Sequence, residues 1–112
     1  MLTVLSPAKS LDWSSEAPVS QTQPAFQSDA VRLAKSSRQL SLQALQSLMK
    51  ISPDLARLNR DRFRAFQDMP NEGITKSAVF AFNGDTYQGF SATTLDPDAI
   101  DYAQDHVRIL SG

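Results

Sequence analysis

Three clusters of polar residues in this sequence have the types and spacing to do chemistry. The first is Ser6-Pro7-Ala8-Lys9-Ser10-Leu11-Asp12. Lys9 can contact a phosphate or carboxylate there, or act as a desolvated amine. Asp12 stands three residues further on and can instead simply pair with Lys9. The segment lacks the glycines of a phosphate-binding loop. The second cluster is Asn83-Gly84-Asp85-Thr86-Tyr87. Gly84 points to a backbone with positive φ or to a close approach. Asp85 can cap the turn that follows, and Tyr87 suits packing as well as catalysis. The third cluster is basic: Lys50 and Ser52, then Arg57, Arg60 and Arg64. These arginines lie opposite an apolar helix stripe and could meet successive phosphates of a nucleic-acid backbone. Asp54, Asp61 and Asp68 run beside them at a seven-residue spacing, with Asp61 four from Arg57 and three from Arg64. Lacing of a solvated face by ion pairs, each worth about 0.2–0.5 kcal/mol, is the plainer account and is favoured. Arg62 and Asn59 fall within the angular range of the apolar stripe, where a guanidinium must be paired.

His106 is the single histidine. It defines no metal site with the scattered carboxylates. Ser6, His106 and Asp12 supply the residue types of a hydrolytic triad, but no spacing supports one. No cofactor motif is present.

The elements that must position these residues are short. Leu2 to Leu5 form a first strand, stopped by Ser6-Pro7. Loops after strands are favoured ligand positions in α/β folds, which is why Lys9 and Asp12 matter. Residues 13–27, rich in Ser, Gln and Pro, read as an irregular loop. A helix starts with Ser28 as N-cap and runs to about Gln39, with Ala30, Leu33, Ala34 and Leu40 on one side. A second runs from Ser41 to Lys50 on Leu42, Leu45, Leu48 and Met49. A third has Ser52 as N-cap, Pro53 at its first position and Asp54 in its first turn. It continues to about Gln67 over a buried stripe of Leu55, Leu58, Phe63 and Phe66. Met69 to Gly73 form a turn. Ala78 to Phe82 read as a buried strand, and a short helical or turn region holds Tyr87 and Phe90. Asp96-Pro97-Asp98 opens a fourth helix. Val107 to Leu110 read as a third strand, followed by Ser111-Gly112.

The class is therefore α+β, with short strands in a mixed sheet and a helical segment between them. Three short strands leave apolar faces poorly covered, so the chain reads as an incomplete domain continued in a longer polypeptide. Net charge is -1 from 11 basic and 12 acidic side chains, which excludes a strongly basic nucleic-acid binder but not a local basic patch. The absence of cysteine excludes disulfides, thiolate metal sites and a cysteine nucleophile. No apolar run has the length of a membrane span, and the N-terminus reads as a strand rather than a signal peptide, so the expected location is the cytoplasm and no membrane partner is expected.

Leu48-Met49-Lys50-Ile51-Ser52-Pro53-Asp54-Leu55-Ala56 has the outline of a helix-hairpin-helix, within residues 41–67. An aliphatic residue sits in the turn and the small Ala56 at the close approach. Such hairpins present backbone N–H groups to a phosphate. Lys50 and Ser52 stand where glycines usually flank the aliphatic residue.

Taken together, several segments resemble the YaaA-like peroxide stress response family, long an uncharacterised family. They are Leu5 to Asp12, Leu48 to Ser52 with Leu55-Ala56 and Asn59, Phe63, Ala81 to Gly89, and Arg108 to Gly112. The resemblance spans the whole chain, as the N-terminal portion of one larger domain. Members continue beyond Ser111-Gly112 with a Leu-Tyr-Gly and an Arg-Pro-containing segment. The resemblance implies a role in resistance to hydrogen peroxide by limiting unincorporated iron. It also implies DNA binding through the hairpin and a positively charged cleft. Lys9 would line that cleft, with Asp85 and Tyr87 near its wall. The chain departs from the pattern at Asn83, where a lysine is expected, and at Thr86, where valine is expected. Losing the lysine takes a positive charge from the cleft. No reaction and no metal ligand set follow from the resemblance.

Three readings follow. The leading one is a stress-response protein binding DNA or another phosphate-rich ligand through Lys9, Lys50, Ser52, Arg57, Arg60 and Arg64. The second is an enzyme acting on a small phosphorylated or carboxylated substrate through Lys9, Asp12, Asp85 and Tyr87, with Ser6 beside them. The third is an inactive fragment that self-associates through an exposed sheet edge.

Overall fold

The computed structural model describes residues 1–18 and 22–111. Residues 19–21 of the expected loop and the terminal Gly112 lie outside the described residues. The chain divides into two compact units, one of Met1–Gln21 with Glu72–Gly112 and one of Thr22–Asn71.

The second unit is helical. Its elements are α1 (Gln27–Ser37), α2 (Leu42–Met49) and α3 (Pro53–Ala65). Ser41 caps α2 by accepting from the Ala44 N–H, and Ser52 caps α3 by accepting from the Leu55 N–H. Each hydroxyl satisfies one orphan donor of the first turn. Pro53 occupies the first turn of α3, where a missing N–H costs nothing. Helix α1 starts two residues earlier than its sequence suggests. Phe26 precedes it with no side-chain cap, and Ser28 lies inside the helix rather than capping it. Arg38, immediately after α1, donates from Nε to the Phe63 carbonyl at 2.7 Å and from Nη2 to the Phe66 carbonyl. It thereby closes the carbonyl end of α3, where a cation is favoured.

The core of this unit is small: Ala34, Leu45 and Ala56 are its buried apolar residues. Ala56 has no exposed surface, as its place at a close helix approach requires. The expected stripe on α3 is shallower than its period implies. Leu55 and Leu58 stay 47% and 44% exposed, and Phe66 is exposed as well. Leu33, Leu48 and Met49 are exposed too. A unit this small has more apolar side chains than its interior can take. Arg62 follows the same correction. It is exposed rather than buried, so it needs no buried partner.

The other unit is mixed. Strand β1 (Thr3–Leu5) pairs in parallel with β2 (Val107–Ile109), in the register Thr3↔Val107, Val4↔Arg108, Leu5↔Ile109. Between them in sequence stand a 3-10 turn at Glu72–Ile74, then α4 (Ala78–Ala81), α5 (Asp85–Phe90), a 3-10 turn at Ala92–Thr94, and α6 (Pro97–His106). Asp96 caps α6 by accepting from the Ala99 N–H at 2.8 Å.

The class is α+β, as expected, but the sheet among the described residues has two strands rather than three. Ala78 to Phe82 is the element that changes. Its amides turn back helically, Phe80 and Ala81 to the Ser77 carbonyl and Phe82 to that of Ala78. An apolar run of this length has no periodicity to separate buried strand from buried helix. Only Phe82 keeps extended backbone, and it bridges Leu11 in antiparallel sense.

Candidate functional site

The loop after β1 and the segment around Phe82 are tied backbone to backbone. The Asp12 N–H donates to the Ala81 carbonyl at 2.7 Å and the Asn83 N–H to the Ser10 carbonyl at 3.0 Å. Gly84 permits this contact, because a Cβ on it would lie 3.2 Å from that of Ala8. Its φ of -158° is ordinary extended backbone, so close approach, not positive φ, explains the glycine. The Tyr87 hydroxyl closes the arrangement by donating to the Ser6 carbonyl. Tyr87 is 6% exposed, and its ring lies 5.4 Å from that of Phe82. Burial pushes its phenol above the usual range, so it remains a neutral donor committed to a structural bond.

An open cleft of about 250 Å³ lies over this junction. Asp12, Ser15, Phe82, Asn83, Tyr87 and Gln88 are among the residues that line it. Asp12 does not pair with Lys9. Its Oδ1 accepts from the Ser14 N–H at 2.9 Å, the Ser14 hydroxyl at 2.8 Å and the Ser15 N–H at 3.2 Å. Its Oδ2 accepts from the Ser15 hydroxyl. Bonds from the Ser15 hydroxyl, then from Ser14, hold this carboxyl well below the usual carboxylate range. Asn83 and Gln88 bond to each other, Gln88 Nε2 donating to Asn83 Oδ1 at 3.2 Å. The cleft therefore offers an ionised carboxylate, amide and hydroxyl groups and an aromatic floor.

Of the expected site residues in this unit, Asp12 and Tyr87 meet in the cleft. Ser6 contributes through its carbonyl. Lys9 and Asp85 are exposed and are not among the lining residues. Asp85 occupies the first turn of α5 without capping it; Gly84 holds the cap position and no side-chain cap bond forms. Lys76 was not legible from sequence, yet its Nζ bonds the Asp12–Ser15 turn. His106 ends α6 with Nδ1 at 2.8 Å from the Tyr102 carbonyl, its ring stacked on Tyr102 at 3.8 Å. Both contacts are structural. Among the described residues no group of His, Cys, Asp or Glu could hold a metal ion.

The basic cluster lies in the helical unit. Lys50 ends α2 in left-handed backbone, φ 53° and ψ 51°, a place glycine or asparagine usually takes. Its side chain is exposed. The Ser52 hydroxyl is engaged in its cap. Arg57 pairs with Asp54 at 2.9 Å rather than with Asp61, and Asp61 takes Arg60 at 3.2 Å. Arg64 is exposed, with no ion pair among the described residues. Asn59 turns inward only as far as the Leu55 carbonyl, to which it donates at 2.8 Å. Among the described residues no helix is long and apolar enough to cross a membrane.

Comparison with known proteins gives one consistent result. The family model described as Peroxide stress protein YaaA matches residues 1–112. A UPF0246 protein of Ruegeria pomeroyi is 60% identical over 112 residues, covering all of this chain and 43% of its own length. A UPF0246 protein of Phenylobacterium zucineum is 51% identical over 115 residues, with 42% of its length covered. One from Burkholderia mallei is 50% identical over 113 residues, with 44% covered. The chain thus spans less than half the length of the curated relatives it matches. A match over every residue, with relatives at this identity, places the sequence: the chain belongs to the peroxide stress protein YaaA family.

Proposed function

We propose that this chain serves a cytoplasmic response to hydrogen peroxide by binding the phosphate backbone of DNA, or a similarly phosphate-rich ligand, through its helical unit. The turn joining α2 to α3 carries the proposal. Lys50 stands exposed at its left-handed corner, beside the capped start of α3. Fully buried Ala56 lets the two helices approach closely, in the outline of a helix-hairpin-helix. Arg57 and Arg64 extend the positive charge along the exposed face of α3. The Arg57–Asp54 pair is exposed on both sides, at 57% and 93%, so it costs little to exchange for a phosphate. Limitation of unincorporated iron belongs to the same proposal as a downstream effect, with no iron ligand assigned to this chain.

The test is binding of the chain to duplex DNA as salt is varied. Phosphate contacts from Lys50, Arg57 and Arg64 give a salt slope near -2.7, so affinity falls roughly 40-fold between about 50 and 200 mM salt. Replacing all three by alanine should remove most of that slope. Binding whose affinity and slope survive the replacement, or no binding at the lower salt, overturns the proposal.

The cleft over Phe82 favours a second reading, a small-molecule site built on Asp12 and Tyr87. Its one charged lining group is the Asp12 carboxylate, which repels phosphorylated and carboxylated compounds. That reading therefore ranks below the first.

A further inference from the structure

Charge is divided unequally between the two units. Thr22–Asn71 carries eight basic and four acidic residues, and the rest of the chain carries three and eight. In the mixed unit much of the excess stands on α6. Asp98, Asp101 and Asp105 are exposed and fall within about 60° of one another around the helix axis. Among the described residues no ion pair reaches their carboxylates. Arg108, the nearest arginine in sequence, donates instead to the Gln104 and Val107 carbonyls. Like charges three and four residues apart destabilise a helix, so this row is a local cost that a partner of opposite charge would offset.

The basic row on α3 has the same spacing. Arg57, Arg60 and Arg64 stand at i, i+3 and i+7, and so do Asp98, Asp101 and Asp105. These are the seam positions of a heptad, and two parallel helices bring like positions together at equal heights. In that alignment Arg57 meets Asp98, Arg60 meets Asp101 and Arg64 meets Asp105. The carboxylate within the basic row, Asp61, then meets Tyr102 rather than another acid. Tyr102 is 65% exposed, and its hydroxyl is a donor that a carboxylate accepts. An antiparallel alignment sets a three-residue step against a four-residue step and loses the match. Arg64 has no ion pair among the described residues. Arg57 and Arg60 hold theirs with the exposed carboxylates of Asp54 and Asp61, so sharing them costs little. Leu58 adds exposed apolar surface beside the row. We propose that α3 of one copy of this chain receives α6 of a second copy, in parallel, as a weak and salt-sensitive interface. The contact covers arginines that the DNA-binding proposal also uses and competes with DNA for them. Self-association is measured without DNA, so it stands or falls independently of that proposal.

The experiment follows the unsubstituted chain by sedimentation equilibrium and by amide shifts on dilution, at low and at high salt. A few exposed ion pairs give weak association, with a dissociation constant of about 0.1–1 mM at roughly 20 mM salt. Raising the salt to about 500 mM should weaken it at least tenfold. The dilution shifts should fall on α3 and α6 together and spare β1 and β2. A chain that stays monomeric at low salt, association indifferent to salt, or shifts confined to other elements overturns the proposal. A charge exchange then tests the pairing itself. Asp98→Lys with Asp101→Lys and Asp105→Lys leaves only the basic row, and Arg57→Glu with Arg60→Glu and Arg64→Glu leaves only the acidic one. Each triple variant alone should be monomeric, and an equal mixture of the two should associate. A mixture that stays monomeric overturns the proposal. If either triple variant is unfolded, the salt dependence and the location of the shifts in the unsubstituted chain decide.

Discussion

In the helical unit, Ser41 and Ser52 fix their helices from three residues away. In the mixed unit, Tyr87 reaches back 81 positions to Ser6, and Lys76 reaches back 61 and 64 positions to Ser15 and Asp12. The same contrast holds for charge. Arg57–Asp54 and Arg60–Asp61 pair along one helix in the first unit, whereas Lys76 in the second bonds the carbonyls of Asp12 and Ser15 across more than sixty positions. One region is a set of locally capped helices around a thin core, joined by Arg38 to the carbonyls of Phe63 and Phe66 and by Lys35 to Asp68. The other is a set of short pieces that acquire their conformation from one another. The helical unit leaves Lys50, Arg57 and Arg64 on its exposed surface, while the mixed unit forms a shaped cleft.

The largest expected effect tests how thin the helical core is. Leu45 is 1% exposed, so Leu45→Ala should cost about 2–5 kcal/mol, measured by denaturant unfolding followed at the α2 and α3 amides. Leu48 shares the helix but is 71% exposed, and Leu48→Ala should stay within about 0.5 kcal/mol. Equal costs at both positions would mean that the exposed stripe is covered in solution. Next in size is a test of local against distant ties. Tyr87→Phe leaves the part-buried Ser6 carbonyl without its donor and should cost about 1–3 kcal/mol. Ser52→Ala removes a helix cap and should cost about 1 kcal/mol. A cap that outweighs the tyrosine would break the comparison.

The smallest expected effect concerns pH. The Asp12 carboxyl is held below its ordinary value in the folded chain, so the unfolded chain binds its proton more readily. The stability it contributes is present above the unfolded value of about 4 and is lost as pH falls below it. Asp12→Asn should flatten that acid limb of a melting-temperature profile and leave the neutral region unchanged in slope. An identical acid limb in the variant would show that the Ser14 and Ser15 bonds do not persist in solution.

Helix starts were legible in both units because their signals are local. Ser52-Pro53-Asp54 and Asp96-Pro97-Asp98 each announce a helix start within three residues, and both starts occur where expected. Ser28 misled for the same reason: it is a good cap residue, but the helix begins one residue before it. Arg62 and the Leu55, Leu58 and Phe66 stripe were placed by period alone, and period gives a direction around the axis without saying how much protein lies there. In the candidate site, Asp12 and Tyr87 were found from their position after a presumed strand, although only β1 is a strand. Lys76 carried no signal, since nothing beside it in the chain shares its function.

The sequence by itself determined the α+β class, the capped helices, the lack of any thiol chemistry and the family. These depend on residue types and on interactions within one helical turn. Only the tertiary structure decided that residues 78–81 coil rather than extend, that β1 meets β2 across the length of the chain, and that Lys76 reaches back to the carbonyls of Asp12 and Ser15. Each of those outcomes is a competition between partners far apart in sequence. Distance along the chain leaves no local pattern by which the winner can be read.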